Sequence, residues 1–275
     1  MQGDLDARAA GGRRFQDKVC IVTGAGQGIG RATARRLAAE GGRIVVAERV
    51  EETADVTFQE LRSAGVDVHK AVVDVSTRAG AKDLMDQAVS AFGRIDVLVN
   101  VVGGTIWWQP YHLYTEEQIA LELERSLYTT LWCCHAVLPA MIAQKSGSIV
   151  NISSGITRGI GLYRAPYAIS KGGVESLTRS LAGEYGRHGI RVNAVAPGST
   201  TIPDRVTSRL TLRPGVIADN VEGGEDYHRE TRSDIEQTAL GRRSTPDEQA
   251  AAIAFMASED ASYITGQILS SAGNP

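Results

Sequence analysis

The sequence predicts a doubly wound α/β fold, a single parallel sheet with helices on both faces. Three observations lead there. Short runs rich in Val, Ile and Ala recur along the chain, separated by longer stretches with helical spacing of apolar residues. The runs are continuously apolar, as strands covered on both sides are, where a half-exposed strand would alternate. Strand-type and helix-type segments never segregate, which argues for one interleaved domain. At 275 residues the chain is large enough to bury a core without disulfide or metal staples.

The first strand is predicted over residues 18–23 (KVCIVT) and the first helix over 28–40, with Ile29, Ala32, Ala34 and Leu37 on its apolar side. Residues 43–47 follow as a strand, and a helix runs on to about residue 64. Residues 66–73 and 95–99 are the third and fourth strands, with a helix over 79–92 between them. Then come a long helix over 116–144, a strand over 148–152, a helix over 166–187 and a strand over 191–196. A helix over 246–257 and a short strand over 267–269 complete the alternation.

Two regions stand apart. Residues 1–17 mix Asp4, Asp6, Arg8, Arg13 and Arg14 with small residues and read as a flexible tail before a single domain, 18–275. Residues 199–243 are rich in Pro, Gly, Thr and charged residues without a sustained period. A stretch of that length in a compact domain is commonly a lid or binding loop, here a substrate loop.

Composition limits the partners. With 43% hydrophobic and 22% charged residues and a net charge of -3, there is no basic footprint for nucleic acid or an anionic membrane. The lack of a signal-peptide core, or of any run of 18 or more apolar residues, points to a cytoplasmic protein. Cys20 and the adjacent Cys133 and Cys134 have no CxxC or Cys/His grouping around them. They read as small buried apolar residues, and no metal site is expected.

TGAGQGIG (residues 23–30) joins the first strand to the first helix. A glycine-rich turn there lets backbone approach a pyrophosphate, and the helix start offers N–H groups and the positive end of its dipole. Gly24, Gln27, Gly28, Ile29 and Gly30 are therefore candidate dinucleotide contacts. Such turns are common; this one gains weight from its strand–turn–helix setting and from Glu48 at the end of the second strand. A carboxylate there accepts hydrogen bonds from the adenosine ribose and repels a 2′-phosphate, which selects NAD over NADP. The uncharged Gln27 agrees, Arg49 argues the other way, and a solvated strand end is the alternative for Glu48.

Tyr167 and Lys171 are four apart in a predicted helix and so share a face. Oxidising an alcohol needs a base for the hydroxyl proton, and a free tyrosine, with a pKa of about 10, is a poor one at neutral pH. An ammonium about 4 Å away contributes roughly 4 kcal/mol at an effective dielectric near 20, or about three pKa units. Lys171, with a positive nicotinamide ring, can therefore bring Tyr167 into range. Ser154, just past a strand end, would hold the substrate oxygen. A lone Tyr-x-x-x-Lys is commonly an ordinary helix face; Ser154 and the glycine turn set this one apart.

From about residue 18 to 269 the motifs and their order resemble the short-chain dehydrogenase/reductase family. They are TGAGQGIG, Asp74–Val75, Asn100-Val101-Val102-Gly103, NISS (151–154), YAISK (167–171) and VNAVAPG (192–198). The resemblance implies a Rossmann-type dehydrogenase with Ser154, Tyr167 and Lys171 as catalytic residues and Asp74 and Val75 at the adenine. It also implies cofactor contacts from Asn100, Tyr167, Lys171, Pro197, Gly198 and Thr200, and a homotetramer built on the two long helices. NAD-binding sensors on this fold commonly lack the tyrosine or the lysine; both are present here.

One position departs from the family. Ser126 stands where an asparagine usually bends the long helix and holds a water in the proton relay. Serine can also bond backbone and water, so an altered relay is expected, with Ser126 as its member. GGTIWWQP (103–110), RSLYTTLWCCHAVLP (125–139), TRGI, KGGV, DEQAAAI and ASYITG resemble the cis-dihydrodiol carboxylate dehydrogenases of aromatic acid degradation, where serine also tends to occupy this position. That implies NAD-dependent oxidation of an aromatic-derived diol acid to a catechol, with loss of carbon dioxide when the carboxylate carbon bears a hydroxyl. Arg158 and Arg164, between Ser154 and Tyr167, are candidates to grip the carboxylate, or are solvated surface arginines. Trp107 and Trp108 are candidates for an aromatic wall, or simply pack. The loop over 155–166 and residues 199–243 differ from the benzoate-type enzymes. A p-cumate-type diol, another secondary alcohol and a ketoreductase activity are the alternatives.

Overall fold

Seven strands, Val19–Thr23, Arg43–Glu48, Val68–Val72, Val97–Asn100, Gly147–Ile152, Ile190–Pro197 and Ile268–Ser271 (β1 to β7), form one sheet in the order β3-β2-β1-β4-β5-β6-β7. Every pairing is parallel. The computed structural model describes residues 13–159, 161–202 and 238–274. The helices are Gly28–Ala39, Glu51–Ser63, Arg78–Phe92, Glu116–Leu123, Thr129–Gln144, Ala165–Tyr185 and Pro246–Ala257 (α1 to α7).

Alternation along each strand explains the continuous apolar runs, because both faces of the sheet are buried. Val19 and Ile21 of β1 and Val45 and Ala47 of β2 join one core, under α3, α5 and α6. Cys20 and Val22, with Ile44 and Val46, join the other, under α1, α2 and α7. The three cysteines are buried and free, and burial pushes the Cys134 thiol up to about 12.

Local chemistry sets the helix ends. Thr77 caps α3 by accepting from Gly80 N at 3.0 Å, and Thr115 and Thr245 form capping boxes with Gln118 and Glu248.

Two expectations need correction, and a third falls mostly outside the described residues. The helix over Glu116–Gln144 is not continuous: Glu124–Tyr128 forms a π-helical turn between α4 and α5. Periodicity does not reveal it; the turn carries Ser126, whose tertiary bonds are described below. The run is apolar enough to cross a membrane by length and composition, but 44% of its apolar window is buried in the protein, where Cys133, Val137 and Met141 face the sheet. Residues 1–12 lie outside the described residues, yet the end of the expected tail is docked. Phe15 is 1% exposed in the second core, and Arg14 pairs with Glu40 at 2.6 Å and Asp260 at 3.1 Å. Most of the expected substrate loop, 203–237, also lies outside the described residues, but its ends are stitched together. Thr201 N donates to Ser244 O at 2.9 Å, Ser244 N donates to Ser199 O at 3.0 Å, and the Thr200 and Ser244 hydroxyls are 2.9 Å apart.

Candidate active site

The sheet changes winding direction between β1 and β4, so the loops leaving their C-terminal ends part there. They leave a cleft of 1380 Å³ lined by the glycine turn, the ends of β2 to β6 and the start of α6. Gly24, Gln27, Gly28, Ile29 and Gly30 all line it. A β-carbon on Gly30 would meet Gly24 O at 2.0 Å, so only glycine lets α1 start this tightly against the turn. Gln27, the N-cap of α1, makes no side-chain bond to the helix start, unlike the threonines that cap α3, α4 and α7. A pyrophosphate fits such a start.

At one end of the cleft, Glu48 Oε2 accepts from Gly26 N at 3.3 Å and Oε1 from Arg49 N at 2.8 Å. Its carboxylate thus stands beside the turn. Arg49 reaches across to Asp74, 3.7 Å away, and Asp74 and Val75 line the same end.

Ser154, Tyr167 and Lys171 line the same cleft. The Lys171 ammonium lies 5.9 Å from the Tyr167 ring centroid and donates to Ile152 O at 2.7 Å. Burial, with Arg125 adding repulsion, lowers its pKa to about 8. Ser154 caps the short turn Gly155–Arg158, its Oγ accepting from Ile156 N at 3.3 Å. Pro197, Gly198 and Thr200 form the facing wall.

Trp107 and Trp108 line the cleft too, and the Arg164 guanidinium sits 4.8 Å over the Trp108 ring. Their loop is braced: Gln109 N donates to Tyr163 O at 3.0 Å, and the single Tyr114 hydroxyl proton lies between Trp107 O at 2.8 Å and Tyr163 O at 3.0 Å.

Three expected residues lie elsewhere. Alternation puts Asn100 on the same side of β4 as Leu98, so its side chain enters the core, 2% exposed, and donates to Asn151 Oδ1 at 2.9 Å. Arg158 is exposed outside the cleft and donates to Ile268 O at 3.4 Å. Ser126 is fully buried behind the cleft wall: its hydroxyl accepts from Gly104 N at 3.2 Å and donates to Gly104 O at 3.5 Å. That fastens the π turn to the loop after β4. Among the described residues, no group of three or more His, Cys, Asp or Glu is placed to hold a metal ion.

Sequence reasoning missed two residues on the same helical run. Glu122 is fully buried, and its Oε1 accepts from the backbone N–H groups of Ile106 and of Trp107, the latter at 3.0 Å. Arg125 is half-buried and lines the cleft. The available signal was spacing, since Glu122 and Ser126 are four apart and so share a face.

Known proteins resemble this chain closely. It matches the short chain dehydrogenase family over residues 18–210. It is 46% identical over 257 residues to the 1,6-dihydroxycyclohexa-2,4-diene-1-carboxylate dehydrogenase of Acinetobacter baylyi, covering 94% of this chain and 95% of that one. The Pseudomonas putida enzyme of the same name is 44% identical over 265 residues, covering 95% and 93%. A solved 7α-hydroxysteroid dehydrogenase complexed with NADH and 7-oxo glycochenodeoxycholic acid superposes with a TM-score of 0.82 at 26% identity, covering 95% of each chain.

Proposed function

Since this chain belongs to the short-chain dehydrogenase family, and is an oxidoreductase of CH–OH groups, we propose that it oxidises a cis-dihydrodiol cyclohexadiene carboxylate with NAD, giving a catechol. The observation that carries this reading is a single cleft that joins Ser154, Tyr167 and Lys171 to an arginine- and tryptophan-lined end.

In this reading the glycine turn and α1 hold the pyrophosphate, Glu48 accepts from the adenosine ribose, and Asp74 and Val75 flank the adenine. Pro197, Gly198 and Thr200 border the nicotinamide, which when bound accepts the hydride. Ser154 donates to the substrate oxygen and fixes it beside Tyr167. Tyr167 takes the hydroxyl proton, and Lys171, when protonated, stabilises the resulting phenolate. Ser126 holds the wall behind Lys171 in place. Trp107, Trp108 and Arg164 border the ring, and Arg158 contributes from outside the cleft at most.

When the carboxylate and the unreacted hydroxyl share a carbon, the ketone formed is a β-keto acid. It loses carbon dioxide and becomes aromatic, so the protein need only bind, orient and remove the hydride and proton. The setting proposed is the cytoplasm, with the chain as a homotetramer.

The test is a panel of cis-dihydrodiol acids read by NADH absorbance alongside carbon dioxide release, with NAD and NADP compared. Turnover of the 1,2-diol acid with carbon dioxide and NAD preference is expected. Turnover without carbon dioxide points to the 2,3-diol, p-cumate-type reaction, and strict NADP preference removes the cofactor assignment. Tyr167→Phe should bind NADH and lose turnover; unchanged turnover removes Tyr167 from the chemistry.

A further inference from the structure

We propose that Arg125, on the π turn, receives the substrate carboxylate. The proposal rests on the diol-acid reading above and names the residue that selects the acid.

The reaction itself restricts where such an anchor can be. In a 1,2-diol acid the carbon that loses hydride is bonded to the carbon carrying the carboxylate. A carboxylate oxygen is three covalent bonds from that carbon, so the anchor must line the same cleft as Tyr167 and Lys171, at about the reach of three covalent bonds plus a hydrogen bond from the reacting carbon. Arg158 is outside the cleft. Arg164 lies flat over Trp108 on the rim loop. Arg125 is on the inner wall: one guanidinium nitrogen is 4.0 Å from the β-carbon position of Gly104, and the β-carbon position of the preceding Gly103 is 2.9 Å from Lys171 Nζ. Ser126 bonds both backbone groups of Gly104, so this stretch of wall and the arginine beside it are fixed relative to each other.

Two cations and a carboxylate of the described residues share this wall. Arg125 and Lys171 are near enough for the arginine to lower the lysine's pKa. Among the described residues the Glu122 carboxylate interacts electrostatically with both, and it is engaged with the backbone of Ile106 and Trp107. Its Oε2 has no hydrogen-bond partner among the described residues, and burial raises its pKa, which weakens it as a counter-ion. A substrate carboxylate arriving beside Arg125 would meet the Lys171 ammonium as well, a favourable Coulomb interaction. A planar guanidinium can meet a carboxylate with two parallel hydrogen bonds, which orients a flat ring as well as holding it.

Arg125→Gln and Arg125→Lys, each checked for native circular dichroism and NADH binding, test this. Two measurements are needed. The first is kcat/KM for the diol acid and for the same ring diol lacking the carboxylate. The second is the affinity for benzoate in the presence of NADH, with benzamide as the neutral control. Arg125→Gln should lower kcat/KM for the acid by about 10- to 100-fold, mostly through KM. It should leave the neutral diol within about threefold and abolish the preference for benzoate over benzamide, and lysine should restore part of both. Equal losses on the two diols overturn the proposal, as does unchanged benzoate affinity in Arg125→Gln or a preference that disappears only in Arg164→Gln. If wild type ignores every diol acid, the substrate reading falls, and the benzoate arm still decides Arg125.

Discussion

Lys171 Nζ stands 2.9 Å from the point a β-carbon on Gly103 would occupy, at a backbone φ of 151°. The glycine after β4 thus lies against the ammonium, and any β-carbon there would make the lysine end shift. In Gly103→Ala the added carbon pushes the ammonium away from Ile152 O and forces the backbone through a region L-residues avoid. We expect kcat to fall about 100-fold, the usual scale for a misplacement of roughly 1 Å, with NADH binding retained. Fluorescence titration alongside steady-state kinetics separates the two; near-normal kcat would show that the wall yields.

The lowered pKa of Lys171 also governs stability. Its folded value, about 8, lies below the ordinary 10.5, so between these pH values the unfolded chain binds a proton the folded chain does not. Stability contributed by this group therefore rises from pH 8 to 10.5 and is lost as pH falls through 8. Denaturant unfolding of wild type and Lys171→Met across this window should show wild type gaining on the variant. A constant difference would mean that burial does not perturb the lysine.

Ser126 satisfies both backbone groups of Gly104 from a fully buried position. Ser126→Ala takes the partner from the part-buried Gly104 N–H, costing about 1 kcal/mol, and releases the π turn. A lower thermal midpoint together with a reduced kcat/KM is expected. A stability loss with unchanged kinetics would reduce Ser126 to a structural bolt.

Glu48 is oriented by Gly26 N and Arg49 N. Glu48→Ser removes the charge that opposes a 2′-phosphate and leaves the adjacent Arg49, paired only loosely with Asp74 at 3.7 Å, to meet it. The NAD:NADP ratio of kcat/KM should narrow by about tenfold or more, the Coulomb worth of a partly exposed charge at an effective dielectric near 20. An unmoved ratio would transfer cofactor choice to other residues.

Much of this was legible before any coordinates. The strands declared themselves because residues such as Ile21 and Val22 are buried on opposite faces, which leaves no polar position to interrupt the run. Tyr167, Lys171 and the glycine turn were readable because their chemistry demands fixed spacings. The π turn was hidden, since a helical repeat carries no trace of a serine bonding to a loop 22 residues away. Arg125 was hidden for a related reason: between Glu124 and Ser126 it looks like part of a solvated face. Phe15 was masked by its polar neighbours, and Asn100 by a motif whose residues do not all point the same way.

The stitch among Ser199, Thr200 and Ser244 has a consequence for how such an enzyme changes over generations. The chain departs and returns at adjacent posts, both anchored to a rigid sheet. Closing a longer or shorter excursion between them costs only roughly 0.6 kcal/mol per doubling of length. The intervening segment can therefore lengthen or shorten like a tool head on a fixed handle, while the sheet and the glycine turn beside its posts are inherited intact.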